Sequence, residues 1–167
     1  MKKSKYLFII LGIVVVIGIV WSVAKSQTAK PVNTQSKINS QVVNTANDKD
    51  LVIDKNTIKS ATFIPYEING TKMEIVAVKA NDGTIRTAFN TCQVCFNSGK
   101  GYYKVIGDKL VCQNCGNKFS FDQVEKEKGG CNPVPILSGN KTENNDQIII
   151  SKTYLATAQK LFASWKS

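Results

Sequence analysis

Two Cys-x-x-Cys pairs, Cys92/Cys95 and Cys112/Cys115, stand sixteen residues apart in the chain. No other feature restricts the fold as strongly, because four sulfurs that serve one site must bring two distant turns together. A Cys-x-x-Cys turn points two sulfurs at one position. Two such turns brought together by a β-hairpin make a tetrahedral cage of four sulfurs, which suits zinc, a single iron or an iron–sulfur cluster. Cys92, Cys95, Cys112 and Cys115 are therefore read as metal ligands. Backbone amides inside each turn can donate to the sulfurs, and Gly116 permits a positive φ after the second pair. Disulfides are the competing reading in an oxidising compartment, and a total of five cysteines leaves one thiol over. Cross-linking cysteines usually stand further apart, which favours the metal.

The chain has no histidine. A histidine general base, a Cys–His nucleophile and a His-ligated catalytic zinc are all excluded, and no paired carboxylate motif replaces them. The expectation is a carrier or binding protein rather than a stand-alone enzyme.

The fifth cysteine lies in Gly129-Gly130-Cys131-Asn132-Pro133-Val134-Pro135. Two glycines and two prolines dictate a sharply turned, rigid loop. Such a loop can carry one thiol to the metal. Cys131 reads as an additional ligand, an exchangeable redox thiol, or a small buried residue.

Ahead of this region, Tyr6 to Ala24 is an almost unbroken apolar run, preceded by Lys2, Lys3 and Lys5. As a helix it would rise roughly 28 Å, close to the hydrocarbon thickness of a bilayer. The basic flank predicts a cytoplasmic N-terminus and a single-pass cell-membrane anchor over residues 1–25, with the rest of the chain extracytoplasmic. A cleaved signal peptide is the competing reading, for which Val23-Ala24-Lys25-Ser26 is a poor site. Residues 26–50 are rich in Gln, Asn, Ser, Thr and Lys and read as a flexible linker. Four of the ten net positive charges belong to Lys2, Lys3, Lys5 and Lys25, and the remainder is scattered without a basic cluster. That distribution argues against a nucleic-acid surface.

Residues 51–167 read as the folded domain. Ala61 to Ile68 and Lys72 to Lys79 read as strands joined at Asn69-Gly70, a hairpin turn signal. The second has apolar residues on both faces and is expected to be central. Asn81-Asp82-Gly83 makes the next turn, Thr84 to Phe89 the next strand, and Asp146 to Ser151 a late one. Leu155, Ala158, Phe162 and Trp165 fall on one helical face, which predicts a C-terminal helix covering the β core.

The run from Thr91 to Ile136 resembles the FtrD-like membrane iron–sulfur domain family. The matching residues are Cys92-x-x-Cys95, Lys100-Gly101-Tyr102, Cys112-x-x-Cys115, Phe119 and Gly129-Gly130-Cys131-Asn132-Pro133-x-Pro135. The resemblance extends over roughly residues 51 to 155. It implies a membrane-attached, cysteine-ligated iron–sulfur protein near iron-uptake or redox machinery. The order of elements is also similar to the Rieske domain, although a Rieske site needs two histidines. The fold expected is mainly β: a small antiparallel β sandwich or barrel with Cys-x-x-Cys hairpins, a C-terminal helix and one N-terminal transmembrane helix. The function expected is extracytoplasmic electron transfer, or redox support of iron or metal uptake, with an iron–sulfur cluster or iron as cofactor and a membrane redox or metal-transport protein as partner. The alternatives are a zinc-stabilised four-cysteine binding module without redox activity and a copper- or iron-handling protein.

Overall fold

The computed structural model describes residues 48–167. Ten strands alternate with short 3-10 turns: β1 (Leu51–Asp54), β2 (Ala61–Ile68), β3 (Thr71–Lys79), β4 (Ile85–Cys92), β5 (Tyr103–Ile106), β6 (Lys109–Cys112), β7 (Lys118–Ser120), β8 (Pro133–Pro135), β9 (Thr142–Glu143) and β10 (Gln147–Ile150). One α-helix follows, α1 (Lys152–Thr157), and a 3-10 segment, Gln159–Phe162, continues it.

The strands form three antiparallel sheets: β2-β3-β4-β8, β1-β10-β9 and β5-β6-β7. The β2–β3 hairpin turns at Asn69 and Gly70, both at positive φ (48° and 73°), as a two-residue turn between twisted strands demands. β3 lies between β2 and β4 and buries both faces. Met73, Ile75 and Ala77 enter one apolar cluster, with Ile53, Phe89, Ile150, Leu155 and Phe162. Val76 and Val78 enter the other, with Ala88, Cys92, Tyr103, Leu110, Cys112 and Phe119. The central sheet thus carries the hydrophobic core on one side and the cysteine-bearing hairpins on the other.

The expectation of a sandwich or barrel is corrected: the molecule is mainly β, but none of the three sheets closes into a barrel. β8 is only three residues long, and Pro133 and Pro135 have no N–H to extend its ladder. The 51–150 sheet ends similarly, on the two residues of β9.

The C-terminal helix is shorter than the apolar spacing implies. Ser151 caps it, its hydroxyl accepting from the Tyr154 amide at 3.2 Å, and regular α geometry ends at Thr157. The chain keeps winding as a 3-10 turn, so Leu155, Ala158 and Phe162 still reach the core. Phe162 packs edge-on against Phe89 and Trp165, with ring centroids 6.1 and 5.4 Å apart. Each such pair contributes about 0.5–1.5 kcal/mol beyond its buried area.

The transmembrane expectation is corrected as well. Among the described residues no helix is long and apolar enough to cross a membrane. The apolar run at 6–24, the anchor over 1–25 and nearly all of the 26–50 linker lie outside them. The single-pass topology, the cell-membrane localisation and the membrane partner therefore have no support in the fold.

Candidate metal centre

Three segments converge on one point beneath the second apolar cluster. The first is the end of β4. Opposite β8 the register of β4 shifts between Phe89 and Cys92, a bulge that leaves Asn90 and Thr91 without ladder partners. Side chains replace the ladder. Asn90 Oδ1 accepts from the Tyr103 amide at 2.8 Å, Asn90 O accepts from Trp165 Nε1 at 2.8 Å, and the Thr91 hydroxyl donates to Leu161 O at 3.2 Å. The bulge ends at Cys92, whose sulfur accepts from the Cys95 amide at 3.2 Å. The Cys92 amide in turn donates to Gly101 O at 2.6 Å. A Cβ on residue 101 would overlap the Cys95 carbonyl, so only glycine permits this tight return.

The second segment is the end of β6, where Cys112 pairs with Tyr103 of β5. The turn back to Cys112 O is closed by the Gly116 amide at 2.9 Å, with Gly116 at φ 74°. The third segment is the 129–135 loop, with Gly129 and Gly130 at φ 82° and 63°. Gln93, inside the first Cys-x-x-Cys, clamps this loop. Its backbone amide donates to Asn132 O at 3.0 Å, its Oε1 accepts from the Gly129 amide at 3.2 Å, and its Nε2 donates to Pro133 O at 3.3 Å. The Tyr103 hydroxyl donates to Cys131 O at 2.9 Å. Neither Gln93 nor Tyr103 stood out in the sequence. The only available signal for Gln93 was its position between two ligand candidates.

The sulfurs of Cys92, Cys95, Cys112 and Cys131 lie within 4.8 Å of one another. Cys131 Sγ is 3.3 Å from Cys92 Sγ and 3.8 Å from Cys95 Sγ. Cys115 stands outside that group of four, yet its sulfur is 2.6 Å from that of Cys131. All five thiols are free. Cys92 and Cys112 are fully buried, Cys95 and Cys131 half-buried, and Cys115 exposed.

This crowding perturbs the thiols in opposite directions. Burial pushes Cys131 far up, and hydrogen bonding to the Cys115, Cys92 and Cys112 sulfurs pushes it further. Burial lifts Cys95 from 9.0 to about 11 and also raises Cys112. Cys92 is buried too, but the amides of Cys95 and Val94 outweigh burial and hold it below its ordinary value. Cys115 is lowered, chiefly by the Cys131 thiol. Close-packed sulfurs that resist ionising together are the electrostatic counterpart of a cation site, since one positive ion relieves the repulsion among thiolates.

The donor set fits a single tetrahedral ion. A four-thiolate zinc site, with metal–sulfur bonds of about 2.3 Å, places its sulfurs about 3.8 Å apart. The 3.3 and 3.8 Å separations lie close to that spacing. The electron-transfer reading built on an anchored iron–sulfur protein is corrected: the described residues form a mainly β domain with a cysteine cluster positioned to ligate a metal ion, and no helix among them is long and apolar enough to cross a membrane.

A search of curated proteins and a search of solved structures each found no match. A family model described as "Membrane iron-sulfur containing protein FtrD-like" matches residues 57–162, a span that contains all five cysteines and more than half of the chain. The chain belongs to the FtrD-like family.

Proposed function

We propose that this FtrD-like domain is a metal-binding module that holds one tetrahedral ion, zinc for preference, through Cys92, Cys95, Cys112 and Cys131. The observation that carries the reading is the convergence of those four sulfurs within 4.8 Å. Tetrahedral all-sulfur donor sets suit zinc, and zinc needs no assembly machinery. The ion would join the end of β4, the end of β6 and the 129–135 loop, adding to the Gln93 and Tyr103 hydrogen bonds that already hold the loop. Ion binding is then folding energy for this side of the molecule. The module acts as a binding protein rather than an enzyme.

A second reading, metal handling, is favoured by one specific observation. Cys115 is exposed and touches the group of four, which a purely structural site would not require.

The test is the metal content of the full chain purified anaerobically. One zinc per chain in a colourless protein supports the module. A brown protein with iron and acid-labile sulfide contradicts it, and so does a chain that takes up no metal.

A further inference from the structure

We infer that Cys115 is an exchange thiol, the group through which the ion enters and leaves the site. The inference rests on the metal-binding reading above and adds a route to it. Five thiols converge where one tetrahedral ion takes four. The two fully buried ones, Cys92 and Cys112, end core strands and cannot lead the ion to solvent. Cys115 is the exposed member, and its sulfur lies 2.6 Å from Cys131, a ligand of the proposed set.

Cys131 is the ligand placed to yield. The two residues before it are glycines at positive φ, and neither would meet any atom within 4 Å if it carried a Cβ, so the turn has open space on its outer side while Gln93 and Tyr103 hold its backbone and leave the thiol to move. Gly116, next to Cys115, borders open space too. In the exchange, the metal–sulfur bond to Cys115 forms as the bond to Cys131 breaks. The proton lost by Cys115 passes to Cys131, and no electron is transferred. The ion then rests on Cys92, Cys95, Cys112 and Cys115, with one ligand open to an incoming thiolate-bearing acceptor. A four-thiolate site without a neighbouring spare thiol has no internal partner for this exchange and must wait for an outside ligand to reach the ion.

The test uses the zinc-loaded full chain mixed with excess of the colorimetric chelator 4-(2-pyridylazo)resorcinol, with the release rate read by absorbance. Wild type and Cys115→Ser are expected to hold one zinc each, with zinc released measurably more slowly from Cys115→Ser than from wild type. Cys131→Ser is expected to hold its zinc through Cys115 and to release it faster than wild type. Circular dichroism of the metal-free forms checks that Cys115→Ser folds like wild type. Cys115→Ser that folds but binds no zinc overturns the inference, because Cys115 is then an ordinary ligand. Equal or faster release from Cys115→Ser overturns it too. A wild-type chain that binds no zinc overturns the metal-binding reading itself, and the two failures are thereby told apart.

Discussion

The Tyr103 hydroxyl donates a 2.9 Å hydrogen bond to the backbone carbonyl of Cys131, tying the start of β5 to the loop that carries the fifth thiol. Tyr103 is also paired with Cys112 across the hairpin, so one residue sets the relation between two of the cysteine segments. Its ring is fully buried and packs edge-on to Phe119. Tyr103→Phe keeps that packing and leaves the carbonyl without its partner. The expected cost is about 1–3 kcal/mol in urea unfolding of the metal-free chain, with weaker zinc binding by competition titration. Unchanged zinc affinity would mean that the loop is held without this bond.

Gly101 is the tightest point of the first ligand turn. Gly101→Ala would drive its methyl into the Cys95 carbonyl and displace the turn that sets the Cys92–Cys95 spacing. Overpacking of this kind costs about 1–3 kcal/mol. Zinc affinity is expected to fall along with stability, whereas Gly139→Ala, where the added carbon meets nothing, should leave zinc affinity as it is.

Lys141 is almost completely buried, 1% exposed at the side chain, and is paired with Glu125 at 2.5 Å and Glu143 at 2.9 Å. Glu125 also accepts from the backbone amide and hydroxyl of Thr87 on β4, so the pair fastens the segment before Cys131 to the central sheet. Lys141→Ala strands a half-buried carboxylate, and the expected loss is about 3 kcal/mol in thermal or urea unfolding. Lys141→Met combined with Glu125→Gln removes both charges and should recover part of that loss. A double variant no better than the single one would show that shape, not charge, fastens the segment.

Stability of the metal-free chain should fall at high pH. Burial lifts the Cys95 thiol from 9.0 to about 11, so the folded chain keeps a proton that the unfolded chain has released. The stability this represents is present below pH 9 and is lost as pH rises through 11. Cys112 and Cys131 are raised as well and act in the same direction, while Cys92 and Cys115 are lowered and oppose it. The zinc-loaded chain holds its ligands as thiolates throughout and should show a much flatter profile. Urea midpoints from pH 7 to 11 with and without zinc check this. Parallel profiles would mean that zinc does not bind these thiols.

What the sequence reveals follows the range of the interactions concerned. The Asn69-Gly70 turn and the two apolar faces of β3 are local patterns, and both appear in the structure as read. The twin Cys-x-x-Cys pairs announce a thiolate site for the same reason. The relation of Cys131 to Cys115 is not legible, because it depends on the β4 bulge at Asn90 and on the clamp that Gln93 places on the 129–135 loop. Closure of the sheets is equally hidden. Leu51 pairs with Ile150 across nearly the whole domain, and a proline-bounded three-residue strand forms one edge of the central sheet. The membrane-anchor expectation rests on the apolar run at 6–24 and its basic flank, which lie outside the described residues. The convergence of the sulfurs, with Cys131 among them, emerges only from tertiary structure.

One zinc ion in an all-sulfur tetrahedral shell has a distinct signature in X-ray absorption at the zinc edge of the loaded full chain. Four sulfur neighbours at about 2.3 Å and no metal–metal scattering are expected. A shell containing nitrogen or oxygen ligands, or a second metal at short range, would contradict it.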